Sequence, residues 1–416
     1  MRIVLLSDKI PPENRGGAGI VTWRLAQELH RQGHVVHLIA STQGDTFREQ
    51  RDGIMTYHIY ANYPLRFRAW LSLYNPQVNS ALKALYQEIQ PDVINAHNIH
   101  LYLTYHSMVI AHRMNIPVVF SSHDVMLFAY QKLTYFIDID DYDCEVEQAD
   151  YRLPAFYNLR QMRFRYNPLR NVVIRRILKR AVQVQTAPSQ ELCKAHHAND
   201  LPQFECVHNG IDIQQFDVSQ ENIDALRQRL GLTGKKVILF AGRLTGAKGT
   251  WQLLQALQQV IKTMPEARLL ILSSVPIEEQ IQADVFSDLR DYIISGGWLS
   301  GDELAAAFRL ADVMVAPSVI FDTFPTVNLE AMASHTVAIA SCFGGSREAI
   351  IDGETGFVIQ PFDTATFADR LTYLLQDDEA RQAMASKAYD RVQHEFTLEQ
   401  QAHQMIAHYQ RAIDTL

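Results

Sequence analysis

Arg243 and Lys248 stand five residues apart in a glycine-flexed stretch, Gly242-Arg243-Leu244-Thr245-Gly246-Ala247-Lys248-Gly249. An arginine offers planar, bidentate donors and a lysine a compact charge, so the two can neutralise a diphosphate without a metal. Taken alone they could equally be solvated surface cations. The stretch is not a phosphate loop of the GxxxxGK[ST] type, because Ala247 occupies the place of the second glycine. Two carboxylates, Asp322 and Glu330, bracket a turn inside Ala316 to Ala333, which runs from a strand end through a Pro/Ser/Thr loop into the helix formers Leu329-Glu330-Ala331-Met332-Ala333. A strand-loop-helix junction aims free backbone N–H groups and the positive end of a helix dipole at whatever lies above the sheet. If the helix begins near Thr326, Glu330 lies about one turn into it, where it can accept hydrogen bonds from hydroxyls or merely complement the dipole. Phosphates for the helix end and diols for the carboxylates are the parts of a sugar nucleotide.

The N-terminal half offers fewer such residues. Gly16-Gly17 follows a first strand and precedes a helix, but the spacing does not match GxGxxG. The glycines are expected to let a phosphate or sugar approach the backbone closely. His123-Asp124 follows the apolar run Val118 to Ser122, so His123 is either a structural histidine or a group at a strand end facing a ligand cleft. His97, His100, His106 and His112 do not form HExxH, and no zinc site is expected. Asp138-Ile139-Asp140 has the form of a DxD metal motif inside an acid-rich stretch, and no metal is assigned to it.

The elements that must position these groups alternate along the chain. Ile3 to Ser7 is a strand, Pro11 to Gly19 a loop, Ile20 to Arg31 a helix by apolar spacing, and His34 to Ala40 a strand after Gly33. Strands return at Pro91 to Ala96, Ile116 to Ser122 and Val182 to Ala187. The turn at Asn209-Gly210 is the best domain boundary. Beyond it, strands at Lys236 to Ala241, Ala267 to Ser273, Asp291 to Ser295, Val313 to Ala316 and Val337 to Ala340 alternate with helices at Thr250 to Thr263, Asp302 to Leu310 and Leu329 to Ser334. Strands alternating with helices mean parallel sheets covered on both faces. The expected domains are 1–208, with a charged insert at 135–180, then 209–396, then a last segment 397–416. In the insert an acidic cluster (Asp138 to Asp150) precedes a basic one (Arg152 to Arg180) laced with apolar residues. It is either a helical pair with opposed charges or a docking surface, at 152–180, for an anionic membrane or a lipid-phosphate acceptor.

The bulk numbers narrow the class. A chain of 416 residues is too long for one ordinary core. Its 47% hydrophobic and 20% charged content is that of a globular protein. A net charge of −8 provides nothing global to attract a polyanion, so no nucleic-acid partner is expected. The N-terminal apolar run is too short for a signal peptide, no run reaches the ~18 apolar residues of a membrane span, and the four cysteines lack a CxxC pair. A soluble cytoplasmic protein, with at most membrane association at the inner face, is the expectation.

These residues together resemble the retaining glycosyltransferases of family 4, with the GT-B fold. The resemblance is carried by Gly16-Gly17, His123-Asp124, Asn209-Gly210-Ile211-Asp212, Gly242-Arg243-Leu244 with Lys248-Gly249, Pro317-Ser318 through Leu329-Glu330-Ala331-Met332-Ala333, and Asp352-Gly353-Glu354-Thr355-Gly356-Phe357. It is dense across the C-terminal half and weaker over residues 1–200. It implies two Rossmann-like domains with parallel sheets facing a central cleft, and a last helix, roughly Leu398 to Leu416, crossing back to the first domain. It implies a nucleotide-diphosphate sugar as co-substrate, no cofactor or metal, and a carbohydrate or glycolipid acceptor. Arg243 and Lys248 would hold the diphosphate, Glu330 the ribose and Asp322 the sugar hydroxyls. Amides near Thr323 and Phe324 would position the sugar, and Gly242, Thr326 and Val327 complete the donor-binding set. His123 would approach the transferred sugar and Gly17 would leave room for phosphate. The family usually has Glu where this chain has Asp322, one methylene shorter. The sugar then sits deeper, a water bridges, or the donor differs from the common hexoses. The expected activity is retaining sugar transfer in bacterial surface polysaccharide or glycolipid assembly. A transferase with a small sugar or sugar-phosphate acceptor, a sugar-nucleotide epimerase of the same fold and a non-catalytic sugar-nucleotide-binding protein remain as alternatives.

Overall fold

The computed structural model describes residues 1–12, 16–131, 133, 149–274 and 284–416. They form two compact units: Met1–Leu133 with Tyr151–Asn209 and Leu398–Leu416, and a second built on Gly210–Thr397. Asp138, Asp140 and the rest of the acidic cluster up to Glu147 lie outside the described residues.

The first unit is an eight-stranded sheet. Its strands are β1 (Arg2–Leu6), β2 (Val35–Thr42), β3 (Phe47–Arg51), β4 (Ile54–Tyr60), β5 (Val93–Ala96), β6 (Val118–Ser121), β7 (Val184–Ala187) and β8 (Glu205–Cys206), in the order β3-β4-β2-β1-β5-β6-β7-β8. After Arg2, β1 is buried throughout, as are β5 and β6, which is why they read as mainly apolar runs, interrupted by the buried Asn95 and Ser121. The sheet is parallel except at one edge, where β3 pairs antiparallel with β4. No strand was expected there, because Phe-Arg-Glu-Gln-Arg is polar and mostly exposed, a composition that suits an edge. The first helix spans Gly17–Arg31 and so begins three residues before the expected start, directly at the glycine pair.

The helix Leu398–Asp414 buries Leu398, Ala402, Met405, Tyr409 and Ala412 along one stripe. That stripe joins the core of the first unit beside Leu25, Leu29 and Val93, and Asn95 Nδ2 donates to Tyr409 Oη at 2.8 Å. The last helix thus returns to the N-terminal unit, as expected. Each large apolar side chain buried there contributes roughly 1.5–3 kcal/mol.

The basic part of the insert is helical at Tyr157–Met162 and Arg170–Ala181, within the first unit. It is not one continuous cationic face. Arg170 turns inward, almost fully buried, and donates to the Met126 carbonyl at 2.6 Å while lying over the rings of Tyr130 and Tyr105. A guanidinium is accommodated in such a place by hydrogen bonds to its donors and by aromatic faces against its plane.

The second unit is a six-stranded parallel sheet made of β9 (Lys236–Ala241), β10 (Ala267–Leu272), β11 (Ile293–Ser295), β12 (Val313–Ala316), β13 (Val337–Ser341) and β14 (Gly356–Ile359). Its order is β11-β10-β9-β12-β13-β14. The chain winds outward from β9 in both directions, so the strand order reverses between β9 and β12. Crevices at the carboxyl ends of two such strands are where open α/β sheets bind ligands.

Candidate active site

The loops that leave β9 and β12 carry most of the residues singled out above. Val313 lies beside Ile238 and Met314 beside Leu239, so the two strands end next to each other. After β9 come Gly242, exposed Arg243 and then Leu244, which is buried and anchors the loop. A single 3-10 turn, Gly246–Lys248, follows. Gly249 has φ +72, and a Cβ on it would stand 1.8 Å from the Pro317 carbonyl oxygen. A second tie joins the loops where the Val319 N–H donates to Ala247 O at 3.1 Å. Lys248 is thereby held over the β12 loop, where its Nζ pairs with the Asp322 carboxylate. Ser318 Oγ donates to the same carboxylate at 3.0 Å.

Asp322 is also fixed from behind. Gly345 N–H donates to its carbonyl at 2.9 Å, and a Cβ on Gly344 (φ +87) would stand 2.1 Å from that oxygen. Phe324 turns its side chain into the core, with its ring 5.8 Å from that of Phe396, so only its backbone can face a ligand. Thr323 is half-buried between them. The helix Thr326–Ala333 starts after Pro325, which provides no side-chain acceptor, leaving the first-turn amides of Thr326 and Val327 without a capping side chain. Glu330 lies four residues after Thr326, half-buried on that helix. Gly249, Ser318 and the pair Gly344-Gly345 were missed as positioning residues. The second glycine pair, set between β13 and a helix as Gly16-Gly17 is set after β1, was the available signal.

The Gly249 contact yields a direct test. Gly249→Ala forces a left-handed alanine, about 1–2 kcal/mol by itself, and pushes on the Pro317 backbone. A displacement of ~1 Å at Lys248 is expected to lower turnover roughly 10²-fold. Gly231→Ala is the control, since Gly231 also has positive φ (+67) but nothing within 4 Å of its Cβ position. It should lose stability alone, measured by denaturant titration, with turnover unchanged.

In the first unit the candidate groups gather at the carboxyl ends of β1, β5 and β6. Asp8, just past β1, is buried and accepts backbone N–H groups of Leu101, Tyr102 and Leu103 at 2.6, 2.9 and 2.7 Å. His97 Nδ1 and His123 Nε2 share a hydrogen bond at 2.9 Å, with the rings stacked. Beside them His100 bridges Asp124 Oδ1 at 3.2 Å and the Tyr105 hydroxyl at 2.6 Å. His196 Nε2 meets Ser122 Oγ at 2.9 Å. Sequence reading picked out His123 from this group and left His97, His100 and His196 without roles. Gly17 is exposed, and nothing lies within 4 Å of its Cβ position, so neither backbone nor packing in this chain requires a glycine there.

Burial dominates the electrostatics of this group. It pushes the His123 imidazole down to about 4 and His196 to about 3, and holds His97 well below 6.5, so these rings are neutral near pH 7. Burial alone would raise Asp124, but the His100 charge and hydrogen bond and the Met126 N–H outweigh it and hold the carboxyl at about 2. Burial raises Asp8 in spite of its three amide donors.

Two Rossmann-like units, one with cations, a carboxylate and a helix start at its strand-order reversal, define the GT-B class of sugar-transferring folds. Comparison with known proteins agrees. Residues 15–215 match the model described as Glycosyltransferase Family 4, and residues 222–391 match that described as Glycosyl transferases group 1. The chain belongs to the family 4 type of glycosyltransferases. An uncharacterized glycosyltransferase of Methanocaldococcus jannaschii is 24% identical over the whole of both chains. Among solved structures, sucrose-phosphate synthase from Thermosynechococcus elongatus superposes with a TM-score of 0.75 at 20% identity, and Anabaena HepE with 0.69 at 18%, each over the full length of both chains.

Proposed function

We propose that this glycosyltransferase moves a sugar from a nucleoside-diphosphate donor to a hydroxyl of a carbohydrate or glycolipid acceptor, with retention and without a metal. The setting we infer is assembly of a bacterial surface polysaccharide or glycolipid at the inner face of a membrane. The observation that carries the donor reading is the ion pair of Lys248 with Asp322, two groups 74 residues apart brought together at the β9–β12 reversal. HepE, which shares the fold, is described in complex with UDP and with UDP-glucose, which supports a donor of that class.

In this reading the C1–O bond to the diphosphate breaks while the acceptor oxygen bonds to C1 on the same face. The departing phosphate takes the acceptor proton. Negative charge builds on the diphosphate, and Arg243, Lys248 and the helix start at Thr326 and Val327 stabilise it. Asp322 and the Thr323 and Phe324 amides hold the sugar, Glu330 holds the ribose, and Gly242 shapes the loop. Gly17 and His123 keep the roles that the resemblance gives them.

A melting-temperature screen against nucleotide sugars tests the donor. A ligand at 100 times its Kd that binds only the folded state adds about 2.7 kcal/mol. One nucleotide sugar should raise the melting temperature, in chelator as well as without it, and product NMR should show the donor's anomeric configuration kept. No shift from any donor, with no nucleotide released on an acceptor panel, would sink the reading. Conversion of donor in the absence of acceptor would replace it with an epimerase.

A further inference from the structure

Among the described residues no helix is long and apolar enough to cross a membrane, yet one face of the first unit is built unlike the rest of the chain. Residues 152–182 contain nine Arg and Lys and no Asp or Glu, in a protein of net charge −8. Residues 62–76 add Arg66 and Arg68, again without an acidic residue. The two segments touch. Asn167 Nδ2 donates to Ala69 O at 3.0 Å, Arg68 donates to Tyr130 O, and Ala69, Tyr130 and Met162 form a small apolar cluster.

Large apolar side chains project from the same segments. Phe164 is 86% exposed, Phe156 71% and Trp70 52%, with Phe67, Leu169 and Val172 also exposed. Two of the aromatics carry an arginine: Arg165 lies over Phe164 at 5.2 Å and Arg66 over Phe67 at 5.0 Å. Some of the cations are already used, Arg68 and Arg170 inward and Arg175 on Asp200 at 3.4 Å. Arg66, Arg160, Arg163, Arg165 and Arg176 remain exposed around the aromatics. Single exposed apolar residues need no explanation, but several large ones projecting from two touching segments that carry arginines and no acidic residue of their own do.

We propose that this face docks on an anionic lipid bilayer, with the aromatic and aliphatic tips of Trp70, Phe156, Phe164 and Leu169 entering the headgroup boundary and the arginines meeting lipid phosphates. Aromatic rings and long aliphatic side chains favour that boundary, and each cation near the surface adds attraction that salt screens. A polynucleotide would satisfy the charge but leave the aliphatic Leu169 and Val172 without a partner. The proposal rests on the reading above in one respect: a lipid-linked acceptor would be met at this surface.

Flotation of the full chain with phosphatidylcholine vesicles, with and without phosphatidylglycerol, tests it. The expected result is co-migration at low salt with the phosphatidylglycerol vesicles alone, weakened as salt rises. The variant R160Q/R163Q/R165Q should lose roughly a hundredfold in partitioning, and F156S/F164S should lose binding that persists at moderate salt in the parent. Both should melt as the parent does and keep its shift with nucleotide sugar. Absence of flotation, equal flotation on neutral vesicles, or variants that float like the parent would overturn the proposal. So would tighter binding to single-stranded RNA, or a dimer in sedimentation that either variant dissociates. A chain that floats but responds to no nucleotide sugar would leave the docking face standing and remove the transferase reading instead.

Discussion

Lys248→Ala is expected to lower kcat by about 10²–10³-fold, the usual effect of removing one donor from a developing anion. Donor KM should move much less. The reason lies in what Lys248 does before the donor arrives: its ammonium sits on Asp322, both groups half-buried. Binding a diphosphate there exchanges one carboxylate partner for phosphate oxygens, so ground-state affinity gains little from the lysine. The extra charge that appears as the C1–O bond breaks has no such competitor, and the lysine's contribution falls on the transition state. Lys248→Arg should recover only part of the activity, since a planar fork does not replace a point charge held by the Gly249–Pro317 contact. Asp322→Asn frees the lysine without removing it. It should tighten binding of the nucleoside diphosphate product while slowing turnover. Single-turnover kinetics and product inhibition separate the two effects. Equal loss in kcat and in donor affinity for Lys248→Ala would show uniform binding and contradict this account.

Such a pairing could not be read from local spacing. The types of Arg243, Lys248, Asp322 and Glu330 were legible, because cations in a glycine-flexed turn and carboxylates at a helix start have few shared uses. The helices Thr250–Thr263 and Asp302–Leu310 were legible too, from apolar periodicity. What brings residue 248 to residue 322 is the placement of β9 beside β12, a matter of strand order that depends on the whole sheet. Gly249 and Gly344 are required by backbone oxygens of Pro317 and Asp322, contacts made only after the fold forms. Strand β3 escaped notice because an edge strand with one solvated side carries no apolar alternation. In the sequence Arg170 reads as one more member of the basic cluster, because its neighbours are cations. Its partners, Met126 O, Tyr105 and Tyr130, come from elsewhere in the chain.

Acid should unfold the first unit well before the second. His97, His123 and His196 are held neutral by burial, while in the unfolded chain each takes up a proton near 6.5. Between pH 6.5 and about 4 the unfolded state therefore binds more protons than the folded one. Unfolding free energy then falls as pH falls, and the full stability is present above 6.5. A drop from 6.5 to about 4 corresponds to on the order of 3 kcal/mol for His123. His196 contributes in the same direction, less than additively, because it shares the neighbours Asp124 and His100. Asp124, held at about 2, adds its own loss only below 3.8, whereas Asp8, whose carboxyl burial raises, opposes the trend by taking a proton in the folded state. In the second unit His335 is lowered by burial as well, but it lies on the surface and should contribute little. Trp23 and Trp70 report on the first unit, Trp251 and Trp298 on the second, so single-tryptophan variants in a denaturant titration at pH 7, 5.5 and 4.5 resolve the two. His196→Phe, which keeps a tilted ring contact with Phe204 (4.3 Å between centroids) but cannot take a proton, should flatten the slope of the first unit alone. A first unit equally stable at pH 7 and pH 4.5 would mean that these rings are protonated in the folded chain. His123 would then carry a positive charge, not a neutral imidazole, into the reaction.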